Sequence, residues 1–141
     1  MVAPLCWAAL MGWGNAATFD LSWPWREPLR FIMPALIYPV LEEMVFRGGV
    51  QPWLQQTRYG RRQWIGVSLA NLTTSILFCG LHFLAHAPLW AVLVFIPSLV
   101  FGYFRERHHT VASPILLHVF YNAGYYWMFG QSETMRSGLS Y

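Results

Sequence analysis

The sequence predicts an all-α fold: a polytopic membrane helix bundle, with four core transmembrane helices plus one N-terminal apolar segment. Three observations lead there. The chain is 56% hydrophobic and only 11% charged, where a soluble domain carries about 25% charged residues, and its mean hydropathy is +0.37. It holds eight Trp and seven Tyr, rings that favour the membrane–water boundary, and the Trp lie mostly near the ends of apolar runs. Those runs have lengths close to the roughly 17–25 residues that span a bilayer as helix. No repeat, low-complexity stretch or second domain is visible, so residues 1–141 read as a single domain with its core at about 29–129.

Each element follows in order. Residues 3–19 form the first apolar segment, weakened by Gly12 and Gly14. It has no basic leading region, which argues for a mature segment rather than a cleaved signal peptide. The second segment covers residues 29–46 and keeps helical spacing to about 57 through "GGVQPWLQQ". Pro34, Pro39 and Pro52 are expected to kink or shorten it, because proline lacks an N–H and crowds the preceding turn. The third is 64–84, "WIGVSLANLTTSILFCGLHFL"; the fourth is 88–104, with Pro97 inside; the fifth is 112–129, "ASPILLHVFYNAGYYWMF". The polar tail 130–141 is expected to be loose.

All nine basic residues are Arg, giving a net charge of +3. In a membrane chain that balance speaks to orientation and anionic lipids. No interleaved basic and aromatic surface suggests a nucleic-acid platform, so nucleic acid is not expected as a partner and the lipid bilayer is. The 47–63 and 105–111 connections fall on one side and carry six Arg, against Arg26, Arg30 and Arg136 on the other. The positive-inside rule makes the first side cytoplasmic. Cys6 and Cys79 both sit in apolar segments and read as small buried hydrophobes.

An ionisable side chain at a helix centre costs roughly 2.5–3.5 kcal/mol on insertion scales, so such residues usually point inward and act. Within the expected spans they are Glu42, Glu43, Arg47, Asn71, His82, His86, His118 and Asn122, plus hydroxyls. Glu43 and Arg47 stand four apart and share a helix face, with Glu in the favourable N-terminal place. A self-neutralising pair is the plain reading of those two. Glu42 is left over and points about 100° away from Glu43. A carboxyl held dry without a local cation suits a general base working near neutral pH. His82 follows Phe78 by one turn, and His118 precedes Asn122 by one turn. His118 and Asn122 therefore share a face and can present donors to one point, as an oxyanion requires. His86 reads as a boundary residue, with metal ligation as the alternative. At about 1.5 Å per residue, a straight helix from 63 lifts His82 about 28 Å and one from 112 lifts His118 about 9 Å. The two imidazoles can meet only if their helices start unevenly, tilt or break.

These residues resemble the CAAX-protease and bacteriocin-processing family, the glutamic intramembrane proteases, and within it the type II CAAX prenyl endopeptidase core. The signatures EExxxR, FxxxH and Hxxx(N/D) occur in order as "EEMVFR" (Glu42, Glu43, Arg47), "FCGLH" (Phe78, His82) and "HVFYN" (His118, Asn122). The resemblance covers about residues 29–129. It implies hydrolysis of a peptide bond near the C-terminus of a membrane-associated protein. Glu42 would activate water with help from His82. His118 and Asn122 would hold the oxyanion, and Glu43, Arg47 and Phe78 would support the site. It implies no cofactor. The short chain looks most like the small prokaryotic members that process C-terminal sorting tails, which implies a multi-pass protein of a prokaryotic inner or plasma membrane. Its partner would be a membrane-anchored protein or C-terminal peptide substrate.

Two alternatives stand beside that reading. Glu42, His82 and His118 make a two-His, one-carboxylate set for zinc with an open position, though no HExxH occurs. Some relatives confer bacteriocin immunity without a known catalytic role.

Overall fold

The computed structural model describes residues 20–85 and 87–137, with side chains described through Gly130. The expected segment 3–19 and His86 lie outside the described residues. Among the described residues the chain is all-α apart from one short hairpin. Its elements are α1 (Trp23–Arg26), α2 (Pro28–Ile32), a π turn (Met33–Ile37), α3 (Tyr38–Val45), a second π turn (Phe46–Val50) and α4 (Gln51–Gln55). They continue with β1 (Gln63–Trp64), β2 (Val67–Ser68), α5 (Leu69–His82), α6 (Pro88–Leu93), α7 (Phe95–His108) and α8 (Ala112–Ser137). The described residues fall into two compact units, one made of those up to Pro39 with those from Val119 onward, the other of those between Val40 and His118.

The expected kinks in the second segment come out as widened turns, and helical residues run uninterrupted from Pro28 to Gln55. The cause is the pair Pro39 and Pro52. A proline ring clashes with the carbonyl one turn back, and a π turn widens the helix there. In the first π turn the Tyr38 N–H donates to Met33 O. In that register Pro34 O would need the N–H of residue 39, which is proline. The Asn122 Nδ2–H supplies it instead, at 3.0 Å. In the second, the Gln51 N–H donates to Phe46 O. Arg47 O would then need the N–H of Pro52, and the Arg105 Nε–H supplies it at 2.8 Å.

Residues 40–118 are built inside out. Glu43, Arg47, Gln51, Asn71, Thr74, Ser75 and Ser98 are buried, while Leu41, Met44, Ile76, Leu77, Leu81, Val92 and Ile96 face outward. Water would reverse that order, because buried polar groups cost and exposed apolar patches attract partners. A lipid surround accounts for it. Helices α5 and α7 pack along each other over a small apolar core of Phe46, Phe78 and Val94. Close approach is secured at Gly102, where any Cβ would collide with the Asn71 amide. That amide donates to Leu99 O at 3.0 Å. Beside it Gln51 Nε2 donates to Glu106 Oε1 at 2.7 Å, and Ser68 Oγ donates to the same oxygen at 2.5 Å. In the other unit, Trp23 donates its indole N–H to Trp127 O at 3.0 Å. Its ring meets Phe31 edge to face, and Gly130 leaves room for it.

Three boundaries differ from expectation. The third helix starts at Leu69, not at residue 64. Gln63–Trp64 pairs antiparallel with Val67–Ser68, and the turn residues Ile65 and Gly66 both take positive φ, 51° and 78°. That is the geometry a two-residue hairpin demands, though a β-branched residue rarely adopts it. Ser68 Oγ then caps the helix by accepting from the Asn71 N–H at 2.9 Å. The fourth segment continues to His108 and stops at His109, whose φ of 55° is a left-handed cap. Its last turn carries Arg105, Arg107 and His108, where the helix dipole favours cations. The tail expected to be loose is helical to Ser137; after Gly130 neither glycine nor proline intervenes before Gly138.

By length and composition one helix among the described residues, Pro88–His108, is apolar and long enough to cross a membrane, with mean hydropathy 1.5 over its best window. The other expected spans fall short for identifiable reasons. Leu69–His82 is apolar but short. The Pro28–Gln55 run is divided by its π turns and carries Glu42, Glu43 and Arg47, and α8 carries His118, Asn122 and a polar end.

Candidate active site

In the second unit Arg47 and Glu43 form a buried pair that Ser98 and His118 join. One helical turn separates Glu43 from Arg47, and the guanidinium Nη1 donates to Glu43 Oε1 at 3.1 Å. Both side chains are fully buried. Nη2 reaches across to α7, donating to Ser98 O at 2.9 Å and to Ser98 Oγ at 2.5 Å. The guanidinium carbon lies 4.8 Å from the centre of the Phe78 ring, 5.7 Å from Phe101 and 5.9 Å from Phe46. Aromatic faces suit a desolvated cation. A small hydroxyl on α7 and three rings thus complete what the i,i+4 pair begins.

Glu43 in turn orients His118, which α8 brings in from the far end of the sequence. His118 Nδ1–H donates to Glu43 Oε1 at 2.9 Å. That oxygen already accepts from Arg47, so it acts as acceptor and Nδ1 carries the proton. The imidazole stacks on Phe101, with ring centres 4.9 Å apart and planes inclined by 25°. Its second nitrogen, Nε2, is thereby turned to Glu42, 3.8 Å from Oε2. Glu42 has no cation three or four residues away on its helix, and its side chain is 35% exposed. It borders an open cavity of about 170 Å³, lined also by Phe46, Phe78, Leu81, His82 and Ala85. Phe78, Leu81, His82 and Ala85 recur at the spacing of one helix face.

His82 thus shares a cavity wall with Glu42. Its Nδ1 donates to Phe78 O, one turn back, at 2.9 Å. The depth mismatch between the two imidazoles narrows because α5 starts at Leu69, which puts His82 about 20 Å along its helix rather than about 28 Å. Phe78 bridges the rest, with its ring centre 4.5 Å from His82 and 5.9 Å from His118.

Among the residues expected from the sequence, the second unit therefore brings together Glu42, Glu43, Arg47, Phe78, His82 and His118. Asn122 belongs to the other unit and spends one amide N–H on Pro34 O. Sequence reasoning missed Ser98, Phe101 and Arg105. Ser98 is a hydroxyl in the apolar run "FIPSLVFG", which is the signal that could have found it. Phe101 and Arg105 carry no local sign of their partners. Among the described residues no group of three His, Cys, Asp or Glu is arranged to hold a metal ion.

A family model described as Type II CAAX prenyl endopeptidase Rce1-like matches residues 24–124, more than half of the chain. No curated protein and no solved structure matches.

Proposed function

We propose, from the premise that the chain belongs to the Type II CAAX prenyl endopeptidase Rce1-like family, that it is a glutamic intramembrane endopeptidase. The family is one of membrane-embedded proteases. The substrate is a peptide bond near the C-terminus of a membrane-associated protein, of the kind found in C-terminal sorting tails. The setting is a prokaryotic inner or plasma membrane, with the four core helices crossing it.

The chemistry needs no cofactor. A water at the cavity wall between Glu42 and His82 gives a proton to Glu42 as its oxygen bonds to the scissile carbonyl carbon. The carbonyl oxygen takes the negative charge. In its protonated form His118 offers it Nε2–H, with Glu43 behind accepting Nδ1–H. By its motif, Asn122 is the second donor to that oxyanion. Collapse breaks the C–N bond, and Glu42 returns the proton to the leaving nitrogen. Arg47 offsets the Glu43 charge and Phe78 carries the His82 helix face.

One observation carries this reading: Glu42, the acid with no cation three or four residues away, meets the His118 imidazole at 3.8 Å and opens on the cavity that His82 also lines. Cleavage of C-terminal tail peptides by detergent-purified protein tests it. Glu42→Ala is expected to abolish cleavage; full cleavage by that variant would overturn the assignment.

A further inference from the structure

We propose that Arg105 is a positioning residue for this site: its Nε–H closes the Arg47 carbonyl that Pro52 leaves without a backbone donor. The inference rests on the protease reading for its activity arm and on geometry alone for its stability arm. In the second π turn the Gln51 N–H is committed to Phe46 O. The next carbonyl, Arg47 O, would take the N–H of residue 52, which proline lacks. A buried carbonyl left unpaired costs free energy, and Arg105, arriving from α7, donates to it at 2.8 Å. The arrangement recurs independently in the other unit, where Pro39 strips Pro34 O of its donor and Asn122 Nδ2 fills it at 3.0 Å. In both cases the side-chain donor lands on the carbonyl that the widened register orphans, not on the one an ordinary α-helix would.

Arg47 is the residue whose backbone is held this way, and its side chain is the hub of the site. A shift of the Arg47 carbonyl moves the guanidinium that fixes Glu43, and Glu43 fixes the His118 ring facing Glu42. Arg105 does not line the cavity. Its effect would reach catalysis through geometry, and a misplacement of about 1 Å costs roughly a hundredfold in rate.

The test is rescue by a second substitution. Arg105→Met keeps the bulk of the stem and removes the donor. Pro52→Ala restores a backbone N–H at residue 52, which closes the same region of the helix from within. Four purified proteins are compared: wild type, Arg105→Met, Pro52→Ala and the double variant. Cleavage of a tail peptide and the midpoint of chemical unfolding in detergent are read for each. Arg105→Met is expected to lower kcat about tenfold to a hundredfold with KM little changed, and to lower the midpoint. The double variant is expected to return to the Pro52→Ala level in both. A double variant no better than Arg105→Met, with Pro52→Ala itself intact, overturns the proposal. So does Arg105→Met at wild-type activity and midpoint. If Arg105→Met alone does not fold, recovery of folding in the double variant supports the proposal and its absence overturns it. A wild-type protein that cuts no tail peptide would instead remove the protease reading, and the unfolding midpoints would still decide whether Arg105 closes this carbonyl.

Discussion

Replacing Arg47 by leucine is the sharpest probe of how the second unit tolerates its acids. The substitution removes the ion pair to Glu43 at 3.1 Å and both bonds to Ser98, at 2.9 and 2.5 Å. It also removes the cation from the Phe78 face, 4.8 Å away. Removing one partner of a buried pair typically costs about 3–5 kcal/mol, because the other charge stays behind without compensation. Glu43 is not wholly abandoned, since His118 still donates to it at 2.9 Å. The expected loss is therefore near the lower end, about 3 kcal/mol. Chemical unfolding in detergent micelles, followed by helical circular dichroism, measures it. The double variant Glu43→Gln/Arg47→Leu should recover most of that loss, because a neutral pair of similar bulk has no charge to strand. Arg47→Leu within about 1 kcal/mol of wild type would match an exposed, solvated pair and refute the reasoning. A double variant as weak as the two single losses added together would refute it too, since that sum means the groups are not coupled.

Other expectations are narrower. Gly102→Ala should destabilise by about 1–3 kcal/mol in the same titration, because the new Cβ collides with the Asn71 amide that holds Leu99 O. His118→Phe keeps a ring against Phe101 but loses the Glu43 bond; it should fold and cleave about 10²–10³ more slowly. Asn122→Ala should slow cleavage by a similar factor of about 10²–10³ without abolishing it. Adding Pro39→Ala to it should leave that loss in place, and recovery would reassign Asn122 from the oxyanion to the Pro34 carbonyl. Exhaustive chelation should leave cleavage unchanged, whereas activity lost and then restored by stoichiometric zinc would contradict the metal-free mechanism.

How much of this the sequence shows depends on the range of each interaction. The Glu43–Arg47 pair was legible because four residues on a helix are neighbours by construction. The single helix face of Phe78 and His82 was legible for the same reason. The Glu43–His118 bond joins residues 75 apart, and no local spacing encodes it; only the order of the three motifs hinted that their helices meet. Ser98 and Phe101 act through packing of α7 on its neighbours, which composition does not report. The late start of α5 was hidden because "WIGVSL" is apolar enough to read as helix, and an Ile at positive φ is a poor turn signal. The two prolines were visible and their effect was not. A proline announces that a carbonyl loses its donor, but whether the helix kinks, ends or widens depends on which side chain is at hand to fill the gap.

The placement of "LEEMVFRGG" in an apolar chain then follows from charge accounting. Glu43 and Arg47 cancel within one turn, and the cost of drying them is shared with Ser98 and three aromatic faces. A cancelled pair still has direction. Its carboxylate holds one nitrogen of His118, and that fixes the other nitrogen toward Glu42. The neutral pair thus serves as a rigid mount for an acid–imidazole couple that is left at the edge of a cavity. An apolar mount of equal stability could hold the ring by packing alone, but it would leave Nδ1–H without an acceptor. Accepting that N–H, and so aiming Nε2 at Glu42, is what the buried ion pair contributes to the site, over and above any stability it adds.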